Sequence, residues 1–390
     1  MTTPHFTIKN KFQKRPELYE DILTKDILGD VCHRLTGRRD FTVTFDNTGY
    51  NIGRLAILEY NDVINYVSFS EFKIESRNSF FQSFPSALVK YHQETNPNKK
   101  IYFYFLRPDS NIETDYFLFM YRLMKTTGTI FLNETDYLTT VLTPFNTVSD
   151  IIVQRDLNRE RNRGNASSYV TVDENDTLQI FGKTYGANKY ETTLLCLAIY
   201  EITLYPMELY EIQEGELKQL PKDARNVILS LGINVITSDL ILERKEFEVD
   251  DSLRSPTYTY NLLEKLGDKK CAFCGCEIPQ IIQGAHVWPV SEIKKDETLS
   301  QDEKLACALD GENGIWLCQN HHKLLDVNIF RISENGRVQC RSEIKGLNMS
   351  FLKNITKQTQ LHDSIFSEKF TDYLRKRNRN LKESLYYEMV

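Results

Sequence analysis

Residues 271–326 open with CAFCGCEIPQIIQGAHVWPV (271–290) and close with ENGIWLCQNHHKLLD (312–326), with an acidic stretch between. Cys271-x2-Cys274 is one half-site and Cys318-x2-His321 a second. A Cys-x2-Cys turn lets two thiolates converge on one tetrahedral ion, and a second pair closes the site, so the spacing predicts a structural zinc. Cys276 competes for a place in that set, although a one-residue gap after Cys274 makes joint chelation awkward. The bland alternative is a group of buried, unligated thiols.

The same segment holds a second constellation. QIIQGAHVWP reads as a strand ending at Pro289, NGIWLC (313–318) as a second strand, and Asn320 to Asp326 as helix. His322 and Asp326, four residues apart, then share one helix face. Strand, strand, helix with His286, Asn313 and His322 resembles the HNH, or ββα-metal, nuclease family. The likeness covers about 60 of 390 residues: AH-x-x-P, then NG-x-x-LC-x-x-HH-x-x-x-D, with the zinc knuckle. It implies a phosphodiesterase in which neutral His286 takes a proton from attacking water. Asn313 would orient His286 by hydrogen bond, as the middle Asn of the family does. His322 and Asp326 would hold one divalent cation, with carboxylate plus imidazole suiting Mg²⁺ or another divalent ion. One position departs from the family: Ala285 stands where many members carry a further ligand, which leaves room for a carboxylate from elsewhere, such as Asp310 or Glu312. His321 and His322 can also exchange roles; the spacing to Cys318 favours His321 for zinc.

Outward from this segment the cysteines thin out. Only Cys32 and Cys196 lie in the first 270 residues, which is not the pattern of a disulfide scaffold. Downstream, Asn335-Gly336 between alternating runs predicts a hairpin over 329–343. A helix is expected over 363–387, where Arg375 and Arg377 offer either a grip on a DNA backbone or a solvated face. Upstream, Glu246–Tyr258, broken by Pro256, reads as a linker. Before it, FGKTYGANKYETTLL leads from a Gly-rich turn into an apolar helix, with Lys183 and Lys189 near its start as candidate phosphate contacts. Arg155, Arg159, Arg161 and Arg163 form either a further phosphate strip or a solvated helix face.

The first 150 residues read as helix (15–37), strands (41–46, 54–59, 63–74), helix (78–93), strand (100–106), helix (115–126) and strand (129–133). That order resembles the PD-(D/E)XK restriction-endonuclease-like fold. Glu71-Phe72-Lys73 stands where the family keeps its ExK motif, but Ala56 occupies the expected aspartate position, with Glu59 and Asp62 a little beyond. The expected class is therefore α+β. A mixed α/β domain at 1–150 is followed by a helical or mixed recognition region at 151–250 and a zinc-stabilised HNH domain at 259–390.

Composition narrows the partners. Hydrophobic content of 41% excludes general disorder, and no stretch approaches the ~20 apolar residues of a membrane span. The first residues contain no apolar signal-like run, and a prokaryotic cytoplasmic setting is the expectation. Net charge of −6 excludes a protein that coats DNA by bulk charge, yet leaves room for one charged cleft. The sequence thus predicts a site-specific endonuclease of the type II restriction class acting on double-stranded DNA. With it come structural Zn²⁺, catalytic Mg²⁺ or another divalent cation, a homodimer and a cognate DNA methyltransferase. A modification-dependent or ligand-activated nuclease is the rival; a non-catalytic zinc protein would not need His286 and Asn313.

Overall fold

The computed structural model describes residues 1–9, 23–46, 55–70, 83–106, 115–161, 168–186, 188–213, 219–238, 243–244, 247–248 and 255–389. The chain divides into two compact units. The first is Met1–Ser168, Gly182–Leu204 and Gln213–Val235; the second is Tyr169–Phe181, Tyr205–Ile212 and Ile236–Val390. The three consecutive regions expected from the sequence do not coincide with these units, because two mid-chain stretches join the C-terminal one.

The first unit is built on a six-stranded mixed sheet. Its elements are β1 (His5–Lys9), α1 (Lys25–Thr36), β2 (Thr42–Asp46), β3 (Leu55–Tyr60), β4 (Val63–Phe69), α2 (Ser83–Gln93), β5 (Lys99–Tyr104), α3 (Asp115–Thr126) and β6 (Ile130–Phe131). The strand order is β2-β1-β3-β4-β5-β6. Sequence reading overlooked β1, which lies inside the sheet, parallel to β2 and antiparallel to β3. HFTIK is only five residues long, but Phe6 and Ile8 alternate into the core and are fully buried. The β4-β5-β6 pairs are parallel, with α2 and α3 as their crossovers. Helix α1 starts at Thr24, whose Oγ1 accepts from Ile27 N, and stops at Gly37 with φ +73°. Ala56 is buried in β3, Glu59 is exposed, and Asp62 sits at φ +62° in the β3–β4 turn. Glu71 and Lys73 lie outside the described residues.

Helices α4 (Asp136–Val141) and α5 (Val148–Arg161) follow. Arg155 of α5 is only 1% exposed, with Asp156 Oδ1 at 3.4 Å from its guanidinium. The expected phosphate contact at Arg155 is therefore corrected, because that side chain is part of the interior. The side chains of Arg159 and Arg161, and residue Arg163, lie outside the described ones. Next come β7 (Ser168–Val172), β8 (Leu178–Lys183), α6 (Asn188–Ile202), β9 (Met207–Ile212), α7 (Lys222–Ser230) and β10 (Asn234–Ser238). These strands form a second sheet in the order β10-β9-β8-β7, which the sequence reading did not anticipate. Lys183 ends β8, and Lys189 opens α6 with its ammonium 5.0 Å from the Tyr190 ring centroid.

In the second unit α8 (Pro256–Leu266) begins inside the expected linker. Pro256 does not break structure there. It occupies the first helical turn, where its missing N–H costs nothing, and Ser255 Oγ caps by accepting from Tyr258 N. The chain continues through β11 (Ile282–His286), α9 (Val290–Lys295), α10 (Gln301–Leu309), β12 (Gly314–Cys318), α11 (Gln319–Asp326), β13 (Phe330–Ile332), β14 (Val338–Arg341), α12 (Gly346–Ile355), α13 (Glu368–Asn378) and β15 (Tyr386–Glu388). The β13–β14 hairpin turns at Asn335-Gly336, with Gly336 at φ +80°. The expected C-terminal helix is shorter than 363–387, since residues Tyr386–Glu388 instead add a third strand against β14. Among the described residues no helix is long and apolar enough to cross a membrane.

Candidate active site

Strands β11 and β12 pair antiparallel, with Ile282 opposite Cys318 and His286 opposite Gly314. Helix α11 follows β12 directly, so the local architecture is ββα. Helix α8 packs across both strands, and two glycines make that approach possible. A Cβ at Gly284 would lie 2.4 Å from Leu262 Cδ1, and one at Gly314 would lie 2.3 Å from Tyr258 Oη. In return α8 delivers Tyr258, whose ring stacks on His286 at 4.0 Å and 9°.

Beside the strands, Cys271, Cys274, Cys318 and His321 place one ligand atom each within 4.8 Å of one another. Cys318 Sγ is 3.1 Å from His321 Nδ1, Cys271 Sγ is 3.5 Å from it, and the sulfurs of Cys274 and Cys318 are 3.9 Å apart. A tetrahedron with ~2.3 Å arms has edges of ~3.8 Å, so this set can hold one metal ion. The knuckle closes through Gly275 N, which donates to Cys271 O from a left-handed φ of +69°. His321 Nε2 meets the Thr356 hydroxyl at 3.1 Å, which aims Nδ1 at the sulfurs. Burial works against a thiolate at Cys271. Hydrogen bonds from His321 and from the backbone at Cys318, Phe273 and Cys274 outweigh it and bring the thiol down to about 6. Cys276 stays outside the cluster; its carbonyl accepts from Cys271 N.

The other histidines face a cleft of about 760 Å³ whose lining includes His286, His322 and Asp326. His286 Nε2 lies 2.9 Å from Ala308 O, in the last turn of α10. A carbonyl can only accept, so Nε2 carries the proton and Nδ1 is left as the basic nitrogen. Burial pushes the imidazole down to about 4, with nearby His322 adding to the shift and the Ala308 bond opposing it. His322 Nε2 is 3.5 Å from Asp326 Oδ2, and its Nδ1 is 3.2 Å from Gln283 Oε1.

Residues 271–333 match the HNH endonuclease family (HNH_2). The match supports a nuclease activity, and it implies DNA as the substrate. The chain matches no curated protein.

Within the HNH segment, Asn313 works differently from the expectation. It does not bond the His286 ring. Its Oδ1 accepts from Trp288 N at 2.7 Å, and its Nδ2 donates to Trp288 O and Cys307 O, each at 3.1 Å. Fully buried, it staples the backbone just after His286 to the turn of α10 whose next carbonyl, Ala308 O, holds the imidazole. Orientation is thus indirect, through two backbone segments.

Neither alternative carboxylate reaches the cleft lining. Asp310 accepts from Tyr373 Oη at 2.8 Å and pairs with Lys369, while Glu312 pairs with Lys265 and Ser367. Glu292, which sequence reasoning missed, does line the cleft, and burial raises its carboxyl against the pull of Arg377 and Lys295. Only its place two residues after Val290, in the first turn of α9, could have signalled it. The basic run of α13 splits. Arg375 is exposed and pairs with Glu334 at 3.1 Å. Arg377 is 2% exposed and donates to Val287 O, Leu325 O and Asn328 Oδ1. The expected DNA grip by Arg377 is corrected, because its guanidinium is consumed in bracing the site.

Proposed function

We propose that this protein is a site-specific double-stranded DNA endonuclease of the restriction class, with the HNH segment cutting and the rest of the chain supplying sequence recognition. One observation carries the catalytic reading: His286, with its tautomer set by Ala308 O, shares a cleft with His322 and Asp326. Water attacking the phosphate gives its proton to His286 Nδ1, which is neutral near pH 7. Asn313 and Tyr258 hold that ring in place. His322 and Asp326 are the residues that would hold a divalent cation. When bound, such an ion supplies positive charge at the scissile phosphate and the departing 3′-oxygen. Cys271, Cys274, Cys318 and His321 would hold a structural zinc, which contributes folding energy. A double-strand break needs two nicks, so a homodimer and a palindromic target follow, with a methyltransferase protecting host DNA. The PD-(D/E)XK-like reading of the first unit remains part of this proposal as a binding scaffold.

The test is incubation of unmodified and methylated plasmid with the protein, in Mg²⁺ or EDTA, followed by mapping of the ends. Discrete fragments from unmodified DNA alone are expected. Cutting confined to methylated DNA would replace the proposal with a modification-dependent nuclease, and no cutting of either would overturn it.

A further inference from the structure

The cleft does not end at its catalytic residues. Its lining runs from His286 and His322 to Gln179 and Phe181 on β8, Tyr210 on β9, and Lys269 after α8. The β8 and β9 part of this second wall comes from chain that precedes the HNH segment at 271–333, yet it shares one core with it. Tyr169 of β7 meets Tyr260 of α8 edge-on at 5.5 Å, and Gln280 Nε2 donates to Asp176 Oδ1 at 3.1 Å. Phe181 and Ile212 lie in the same buried cluster as Ala285 and Trp316. The wall is therefore a fixed surface.

Its chemistry is specific. The Tyr210 ring lies flat on Phe181 at 4.8 Å and 11°. Its hydroxyl accepts from Gln179 Nε2 at 3.3 Å and donates to Glu208 at 2.7 Å, so the hydroxyl end of the ring is held by two bonds. Among the described residues lining the cleft, Lys269 is the one lysine or arginine. A volume of about 760 Å³ falls in the range of small-ligand sites, roughly 300–1,000 Å³, and leaves room for a nucleotide beside the scissile phosphate. Aromatic faces are sequence-tolerant platforms for bases, but only a base out of the helical stack can reach one inside a cleft.

We propose that this wall is a nucleotide subsite: one base of the substrate strand, turned out of the duplex, lies against Tyr210, with the Gln179 amide at its edge and Lys269 on a phosphate of that strand. The proposal rests on reading the cleft as a DNA-cleaving site. Extrusion costs least where a base is already unpaired, which makes the idea measurable by binding.

Full-length His286→Ala protein is titrated into a fluorescein-labelled 20-base-pair duplex and into the same duplex carrying a single-nucleotide bulge. Roughly 5- to 100-fold tighter binding of the bulged duplex is expected, because the bulge spares the cost of extruding a paired base. Adding Tyr210→Leu removes that preference, Tyr210→Phe keeps it, and Lys269→Ala weakens both duplexes several-fold. Equal affinity for the two duplexes, or a preference that survives Tyr210→Leu, overturns the subsite. Should Tyr210→Leu fail to fold, 5-iodouracil at the bulge decides: a photocrosslink to Tyr210 is expected, and crosslinks only outside β8 and β9 overturn the proposal. If the His286→Ala protein shows this binding while protein with His286 intact leaves plasmid uncut, the subsite is kept and the proposed reaction is lost. Protein that cuts without dependence on Tyr210 loses the subsite alone.

Discussion

Under the proposed mechanism His286 meets the reaction directly, whereas Asn313 acts only through the backbone that it staples. His286→Ala removes the base and should lower cleavage by 10²- to 10⁴-fold with the fold intact, measured as initial nicking rates beside a thermal melt. With the imidazole held down to about 4, the acid limb of kcat/KM should lie below pH 5; a limb near 6.5 would mean the ring is not buried as described. The sign for stability follows from the same shift. The unfolded chain protonates His286 near ~6.5 while the folded one waits until about 4, so this residue costs stability as pH falls through that window. Asn313→Ala strands the backbone groups at Trp288 and Cys307, so a loss of roughly 2–4 kcal/mol is expected in denaturant titration. Arg377→Ala should cost about 3 kcal/mol, because three acceptors lose their donor in the interior. Arg375→Ala should change stability by less than about 1 kcal/mol, its ion pair being exposed. From sequence alone the two arginines are indistinguishable neighbours in one basic run.

At the scale of elements, α8 is the part that turns a ββα motif into a positioned site. It lies on β11, β12 and the turn at Gly311–Asn313 closely enough to exclude a methyl group at Gly284, Gly314 and Gly311. At Gly284 and Gly314 the obstructing atoms are side chains. At Gly311 they are backbone, with Asn261 O only 2.4 Å from where an added methyl would sit. Gly311→Ala should therefore destabilise more than Gly284→Ala, since a backbone segment cannot swing aside; equal melting temperatures would contradict this. Ser255→Ala should cost about 1 kcal/mol by removing the α8 cap. The helix was hidden from sequence reading because Pro256 stands at its start, where the usual breaker is tolerated. Strand β1 was hidden for the opposite reason: five residues carry too little periodicity to declare themselves, and its neighbours β2 and β3 are distant in sequence.

For the molecule as a whole, the second unit should depend on a metal ion held by Cys271, Cys274, Cys318 and His321. Removing zinc with a strong chelator, or Cys271→Ser, should abolish the folding of that unit and with it all cleavage, read by near-ultraviolet circular dichroism and metal analysis. A folded, zinc-free Cys271→Ser protein would refute the structural role. The sequence by itself singled out Cys271, Cys274, Cys318 and His321 as a set that could hold a metal ion, gave the ββα order, and picked out His286, His322 and Asp326, which line one cleft. Metal ligation and helix-face geometry are short-range constraints, written in spacings of three or four residues. Only the tertiary structure decided that Asn313 bonds backbone and not the His286 ring, that Arg155 and Arg377 are interior, and that β8 and β9 wall the cleft that His286 lines. Those facts depend on which distant surfaces are buried against each other, and burial is settled by packing of the whole core, which no local spacing records.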